Sequence, residues 1–145
     1  MSFGYSVGDI IVLGQLAWKA YKSCKDAPES FQNISREVLS LHALIKEMEE
    51  ILAAQTLSSS RQARLKTIGD GCCSVLEELQ SLVDKYESLG TQSKRTWDRM
   101  KWGCNDIAEL RSRLTSNTIL LTAFMRYAHT LLPLNVRLLV WIRIF

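Results

Sequence analysis

The sequence predicts an all-α protein, an antiparallel bundle of about four long helices. The main observation is that apolar residues alternate between steps of three and four in two long runs. This spacing places each run along one side of a helix, and such a stripe must be buried against other helices. The first run is Phe31, Ile34, Val38, Leu41, Ile45, Met48 and Leu52, and the second is Leu65, Ile68, Cys72, Val75, Leu79, Leu82, Tyr86 and Leu89. With only two prolines and seven glycines, the composition also favours long helices.

The length of 145 residues indicates a single domain with a continuous core. We expect the bundle to occupy residues 1–127 and an apolar, arginine-containing tail to occupy residues 128–145. The net charge of +3 is unevenly distributed, because residues 110–145 contain five arginines and no acidic residue. The rest of the chain carries 13 basic and 15 acidic residues. This small net charge does not indicate binding to nucleic acid.

The first helix is predicted over residues 7–24, with Ser6 as its N-cap and Asp9 completing a capping box. Apolar side chains cover most of its circumference and leave only a narrow polar strip of Gln15, Lys19 and Lys22. A helix of this kind either lies at the centre of a core or enters lipid, and the sequence leaves both alternatives open.

The second helix is predicted over residues 29–55 and the third over residues 61–89, joined by a short, serine-rich linker. The sequence Gly69-Asp70-Gly71 lies inside the third helix. Since each glycine costs about 1 kcal/mol relative to alanine in a helix, we expect a kink or a close helix contact there, without a full break.

A fourth helix should begin near residues 90–93 and run to about Tyr127. Its apolar stripe contains Trp97, Met100, Cys104, Ile107, Leu110, Leu114, Asn117, Leu121 and Phe124. Asn117 is either a side chain that reaches solvent or a buried amide that sets the helix register. Residues 134–138 of the tail alternate like a strand, but the alternation then fails. The tail therefore packs on the bundle, contacts a partner or lipid, or belongs to a longer chain.

Side chains able to support chemistry are sparse. The four cysteines have no zinc-ligand spacing and the two histidines have no catalytic partner at a recognisable spacing, so we predict no catalytic residue, no metal and no cofactor. Residues 94–102 interleave basic and aromatic side chains, as nucleic-acid sites do. Trp97 and Met100 belong to the apolar stripe, however, which favours a solvated basic face over a core tryptophan and no nucleic-acid partner.

The localisation signals point to the cytoplasm. The N-terminus lacks the basic region and cleavage site of a secretory signal. The longest stretch without a charged residue has 12 residues, fewer than the ~20 that a membrane-spanning helix needs.

Four motifs resemble a known family: FGYSVGD at residues 3–9, LAWxxYK at 16–22, DAPESF at 26–31 and EVxxL at 37–41. They are similar to the HeLo-like N-terminal domain of fungal STAND (NLR-like) receptors, over about residues 1–125. The resemblance implies a helical effector that acts in programmed cell death or non-self recognition. Such domains are thought to oligomerise and to permeabilise membranes through the N-terminal helix.

Carried over to this chain, the resemblance implies membrane insertion by the start of the first helix. The candidate insertion residues are Phe3, Tyr5, Val7, Ile10, Ile11, Val12, Leu13, Leu16 and Trp18, and the candidate lipid head-group contacts are Lys19, Lys22 and Lys25. The implied partners are further copies of the chain, the membrane in the active state, and a receptor or another helical-bundle domain. The implied localisation is cytoplasmic, with recruitment to the plasma membrane. The alternative is a helical adaptor that binds proteins and has no membrane activity.

Overall fold

The structure, a computed structural model, describes residues 6–27, 29–88, 102–130 and 134–144, and all regular structure in these ranges is helical. Helix α1 spans Val7–Lys25, α2 spans Glu29–Ala54 and α3 spans Ser59–Glu87. Helix α4 spans Trp102–Thr130 and α5 spans Leu134–Ile144. The first four are long and pack against one another, which confirms the predicted all-α bundle.

The four long helices enclose one core in the order α1, α2, α4, α3. Helix α1 packs on α2 and α3, and helix α4 packs on the same two helices. Helices α2 and α3, although consecutive, therefore occupy diagonal corners. Packed helices generally lie 8–10 Å apart, so the diagonal of such a bundle is about 11–14 Å. Residues 55–58 can cross this distance because an extended chain gains about 3.3–3.6 Å per residue, and Ser58 has extended backbone angles.

Residues 55–58 cross the bundle at one of its ends, and we call this end the linker end. The start of α1, the start of α3 and the end of α4 meet there as well. Leu57, within this crossing segment, is buried. The Gln62 side chain donates a hydrogen bond to the Leu57 carbonyl at 3.2 Å, and the Gln55 side chain donates to the Ala128 carbonyl, also at 3.2 Å. These side chains satisfy backbone carbonyls that regular helix hydrogen bonds do not reach.

Residues of the predicted apolar stripes form the core. The whole first run is buried, as is the second run from Leu65 to Leu82, while Tyr86 is partly buried and packs against the core. On α4, Ile107, Leu110, Leu114, Leu121 and Phe124 are buried. The predicted positions at Leu89, Trp97 and Met100, the side chain of Cys104 and the start of the fourth helix lie outside the described residues.

Helix α3 passes through its glycine-containing segment without a break and contacts α4 closely there. A Cβ atom added to Gly71 would lie 2.6 Å from Oδ1 of Asn117. The Asn117 side chain is half-buried, and its Nδ2 donates a hydrogen bond to the Arg113 carbonyl at 2.9 Å. Of the two predicted outcomes, a kink or a close helix contact, the structure shows the close contact.

The tail forms a helix, α5, which packs on α2. Nη1 of Arg143 lies 3.1 Å from Oε2 of Glu50. The strand-like alternation extends over only five residues, whereas Leu134, Leu138, Trp141 and Ile142 follow the i, i+4, i+7, i+8 spacing of one helix face. Packing on the bundle is thus observed for this segment. Helix α4 ends at Thr130, three residues beyond the predicted end.

Candidate membrane-contact and self-association surfaces

Helix α1 begins with the predicted capping box. The Asp9 carboxylate accepts hydrogen bonds from the Ser6 backbone N–H at 2.7 Å and from the Ser6 hydroxyl at 2.9 Å. These contacts hold the pKa of Asp9 below its usual value, because both favour the ionised carboxylate. The negative charge also lies at the positive end of the helix dipole. The first turn of α1 is therefore fixed although it is exposed to solvent.

The candidate insertion residues divide between the two sides of α1. Ile10 and Leu13 are buried in the core, at 0% and 3% exposure. Val7, Ile11 and Leu16 are half-buried, whereas Val12 and Trp18 are exposed at 64% and 44%. Phe3 and Tyr5 lie outside the described residues. In the bundle, α1 is therefore a packed corner helix with one side exposed, whereas the packing alternative predicted from the sequence placed it at the centre of a core.

The buried side of α1 is built mostly from small residues. Its fully packed positions are Ile10, Leu13, Gly14, Ala17, Ala20 and Cys24, and only the first two are large. At Gly14 the helix approaches α2 closely, since an added Cβ would lie 3.3 Å from Cγ2 of Ile45. Burial of Ile10 and Leu13 contributes about 1.5–3 kcal/mol each. Small residues contribute less, so α1 is held by less buried apolar surface than its length suggests.

Trp18 connects the exposed side of α1 to α2. Its ring centroid lies 5.2 Å from that of His42 and 5.3 Å from that of Tyr21. Burial lowers the pKa of His42, and the nearby Lys46 ammonium acts in the same direction, while Glu49 opposes it. The neutral imidazole is thus the form favoured beside the Trp18 ring.

The three candidate head-group lysines are all exposed. Lys19, Lys22 and Lys25 lie in the second half of α1, away from the linker end. Val12 and Gln15 are exposed on the same helix. The exposed side of α1 thus combines isolated apolar side chains with lysines, without an acidic residue between Asp9 and Asp26.

A second surface, the α3/α4 face, is the outward groove between these two helices. Towards the linker end the groove has a volume of about 660 Å³ and is mostly apolar. It is lined by Ala63, Arg64, Thr67, Ile68, Leu120, Ala123, Phe124 and Tyr127. Arg61 stacks over the Tyr127 ring at 4.9 Å and donates a hydrogen bond to its hydroxyl at 3.1 Å. Arg61 and Arg64 make this half of the face basic.

The other half of the α3/α4 face is acidic. A groove of about 440 Å³ is lined there by Glu77, Glu78, Asp106 and Glu109, together with Lys85 and the less polar Ser74, Ser81, Leu82 and Leu110. Arg113 donates to both oxygens of Glu78, at 2.6 and 2.8 Å. This contact lowers the pKa of Glu78 and raises that of Arg113. Gly71 and Asn117 lie between the two halves, so the face has opposite charge at its ends.

The cysteines are packing residues in the described part of the chain. Burial raises the pKa of Cys24 and of Cys72 to about 12, so both thiols are protonated at neutral pH. Cys73 is half-buried and donates a hydrogen bond to Glu77 at 3.5 Å. Among the described residues, no group of three His, Cys, Asp or Glu side chains could hold a metal ion.

Sequence reasoning did not assign any site residue to the tail, yet α5 carries the most exposed apolar surface that the structure describes. Its exposed large side chains are Leu134, Leu138, Leu139, Trp141 and Ile142. The signal for this surface was the helical spacing of the residues, which the short alternating stretch obscured. Within the described residues, none of the helices combines the length and the hydropathy required to traverse a bilayer.

Comparison with known proteins gave no match: neither protein-family models, curated proteins nor solved structures are similar to this chain.

Proposed function

We propose that this chain is a helical-bundle effector of an NLR-like signalling system in fungi. It oligomerises on activation and permeabilises membranes through α1, in programmed cell death or non-self recognition. The proposal rests on the resemblance of residues 3–41 to HeLo-like domains, and the fold is compatible with it. In the resting state the chain is cytoplasmic, and in the active state it is recruited to the plasma membrane.

The observation that best supports the proposal is the way α1 packs. Four of its six buried positions are glycine, alanine or cysteine, so α1 itself contributes fewer large side chains to the core than α2 does. A released α1 would expose Ile10 and Leu13 on one side in addition to Val12 and Trp18 on the other, followed by lysines at its C-terminal end. A helix that is apolar over most of its circumference favours lipid when it is not packed in a core.

The experiment measures dye leakage from phosphatidylcholine–phosphatidylserine vesicles, with the protein alone and after forced oligomerisation. Val12→Glu is the test variant, because Val12 is 64% exposed and a glutamate there leaves the bundle intact. A charge in the inserted part of a helix costs several kcal/mol, so leakage should fall at least tenfold, which corresponds to about 1.4 kcal/mol. Ile119→Glu is the matched control, since Ile119 is 62% exposed on α4.

Loss of leakage in Val12→Glu, with leakage retained in Ile119→Glu and equal melting temperatures, supports insertion by α1. Equal leakage from both variants, or no leakage from the unmodified protein, contradicts it. The function would then be that of a helical adaptor. The apolar, basic half of the α3/α4 face favours this second candidate, because a groove between two helices can take an amphipathic helix of a partner.

A further inference from the structure

Helix α5 presents an apolar stripe to solvent. Leu134, Leu138, Trp141 and Ile142 follow the i, i+4, i+7, i+8 spacing of one helix face, and Leu139 borders them. Their exposures range from 56% for Trp141 to 73% for Ile142. Large contiguous exposed apolar patches are rare on soluble proteins and mark sites of interaction with a protein or a membrane.

Helix α5 contacts α2 on the side opposite the stripe. Arg143 bonds to Glu50 of α2, and α2 is the helix of the bundle on which α5 packs. The stripe is therefore held at a defined place on the outside of the bundle. It is separate from the exposed side of α1, because α1 and α5 form no substantial contact within the described residues.

The length of α5 limits what can cover the stripe. At 1.5 Å per residue its 11 residues extend about 16 Å, about half of the ~30 Å hydrocarbon thickness of a bilayer. Two copies paired through so short a helix would bury less than the ~1,200 Å² of a stable protein interface. A lipid surface requires neither a long helix nor a complementary partner surface. An interfacial helix lies flat on the membrane, with its apolar face buried about 5–10 Å at the boundary of head groups and acyl chains.

The charge around the stripe favours an anionic surface. Helix α5 contains Arg137 near the stripe and no acidic residue, and the chain has no acidic residue after Glu109. Arg143 lies on the opposite side, where it is paired with Glu50 of α2. A tryptophan in the stripe is also typical of the membrane interface, where its ring lies at the level of the head groups. Arginine side chains beside such a stripe can extend towards lipid phosphates while their stems remain in apolar contact.

We propose that α5 is a peripheral membrane-docking helix, which lays Leu134, Leu138, Leu139, Trp141 and Ile142 on the surface of an anionic membrane. This contact is made by the folded bundle and does not require α1 to leave it. The inference does not depend on pore formation by α1. It gives the chain a membrane-docking surface that is distinct from the candidate insertion residues.

The test is co-sedimentation with vesicles of phosphatidylcholine, with and without phosphatidylserine, using the full chain. The double variant Leu138→Glu/Ile142→Glu places two charges in the stripe at exposed positions, so the bundle should keep its circular dichroism spectrum and melting temperature. Binding to vesicles with phosphatidylserine should fall at least about tenfold. Binding of Ile119→Glu, which places a charge at an exposed apolar position of α4, should remain within about twofold of that of the unmodified protein.

A second measurement locates the helix in the bilayer. The chain has four tryptophans, so quenching by brominated lipid is compared between the unmodified protein and Trp141→Phe. We expect most of the quenching to disappear in Trp141→Phe. The inference is overturned if the double variant binds like the unmodified protein, if quenching is unchanged in Trp141→Phe, or if the unmodified protein does not bind vesicles. If the unmodified protein does not bind vesicles, the stripe would instead be a binding surface for a protein partner.

The two proposals fail separately. If Val12→Glu still causes leakage while the double variant loses binding, insertion by α1 is wrong and docking by α5 stands. If Val12→Glu abolishes leakage while the double variant still binds, docking by α5 is wrong and insertion by α1 stands.

Discussion

At the scale of single residues, charge and close packing are concentrated at a few positions. Asp9 is one of them, because its carboxylate closes the first turn of α1 through two hydrogen bonds from Ser6. Leu79 is another, fully buried at the centre of the core with Leu41, Ile45 and Leu114. Both roles could be predicted from sequence, since a Ser-x-x-Asp spacing and a helical stripe are local patterns.

Asp9→Asn should lower the stability of the bundle in a pH-dependent way. The pKa of Asp9 is lower in the folded chain than in the unfolded chain, where it is about 3.9. The stabilisation by the charge is therefore complete well above pH 4 and is lost as the pH falls through the folded pKa. Near pH 6 the variant should lose about 0.3–1 kcal/mol in free energy of unfolding.

Thermal and urea unfolding at several pH values measure this difference. The stability difference between the unmodified protein and Asp9→Asn should close as the pH falls below the lowered pKa of Asp9 in the folded chain. Asp26→Asn is the control, because Asp26 lies at the opposite end of the same helix, where a negative charge is not favoured by the dipole. A pH-independent loss in Asp9→Asn would mean that the charge of Asp9 has no part in capping.

At the scale of helices, sequence periodicity predicted which side of each helix is buried but not which helix covers it. The stripes of α2 and α3 match, and a short linker most often joins helices that are antiparallel neighbours. They occupy diagonal corners instead, because a stripe directed at the bundle axis fits equally well against any of the other helices. The secondary structure of the tail could not be predicted for another reason. Residues 138–142 are all large and apolar, so no polar residue shows whether the pattern has the period of a strand or that of a helix.

The contact between Gly71 and Asn117 gives a prediction about two helices. Alanine is favoured over glycine in a helix by about 1 kcal/mol, but at Gly71 its Cβ would lie 2.6 Å from Oδ1 of Asn117. Gly71→Ala should therefore stabilise the unmodified protein little or destabilise it. In an Asn117→Ala background the same change should add about 0.5–1 kcal/mol.

A double-mutant cycle in urea measures this coupling. Gly8→Ala is the control for helix propensity, since an added Cβ there would meet only the Ser6 hydroxyl, at an ordinary 3.5 Å. If Gly71→Ala has the same effect on stability with and without the Asn117 side chain, contact with Asn117 does not limit the stability gained from alanine at position 71.

At the scale of the whole molecule, the α3/α4 face is self-complementary in charge. Arg64 lies seven residues before Gly71 and Glu78 seven residues after it, and Glu109 lies eight residues before Asn117. A second copy, related by a two-fold axis near Gly71, would place its basic half against the acidic half of the first. Such isologous pairing is the commonest form of self-association.

Charge exchange across this face tests whether it mediates oligomerisation. Arg64→Glu and Glu109→Arg should each weaken self-association about three- to tenfold in sedimentation experiments at low salt. The combination of both changes should restore it, because opposite charges face each other again. Arg36→Glu on α2 is the control for net charge. If the double variant associates no better than the two single variants, the copies do not pair through this face.

The diagonal placement of α2 and α3 has a consequence for the order in which the bundle can come apart. Within the described residues, α1 packs on α2 and α3 and forms no substantial contact with α4, so its detachment would leave α2, α4 and α3 joined through α4. Its departure is a local unfolding event, with a free energy below that of global unfolding. The slot it vacates has the shape of one helix, so α1 of a second copy can occupy it. A corner helix thus makes exchange between copies geometrically simple, whichever surface first brings them together.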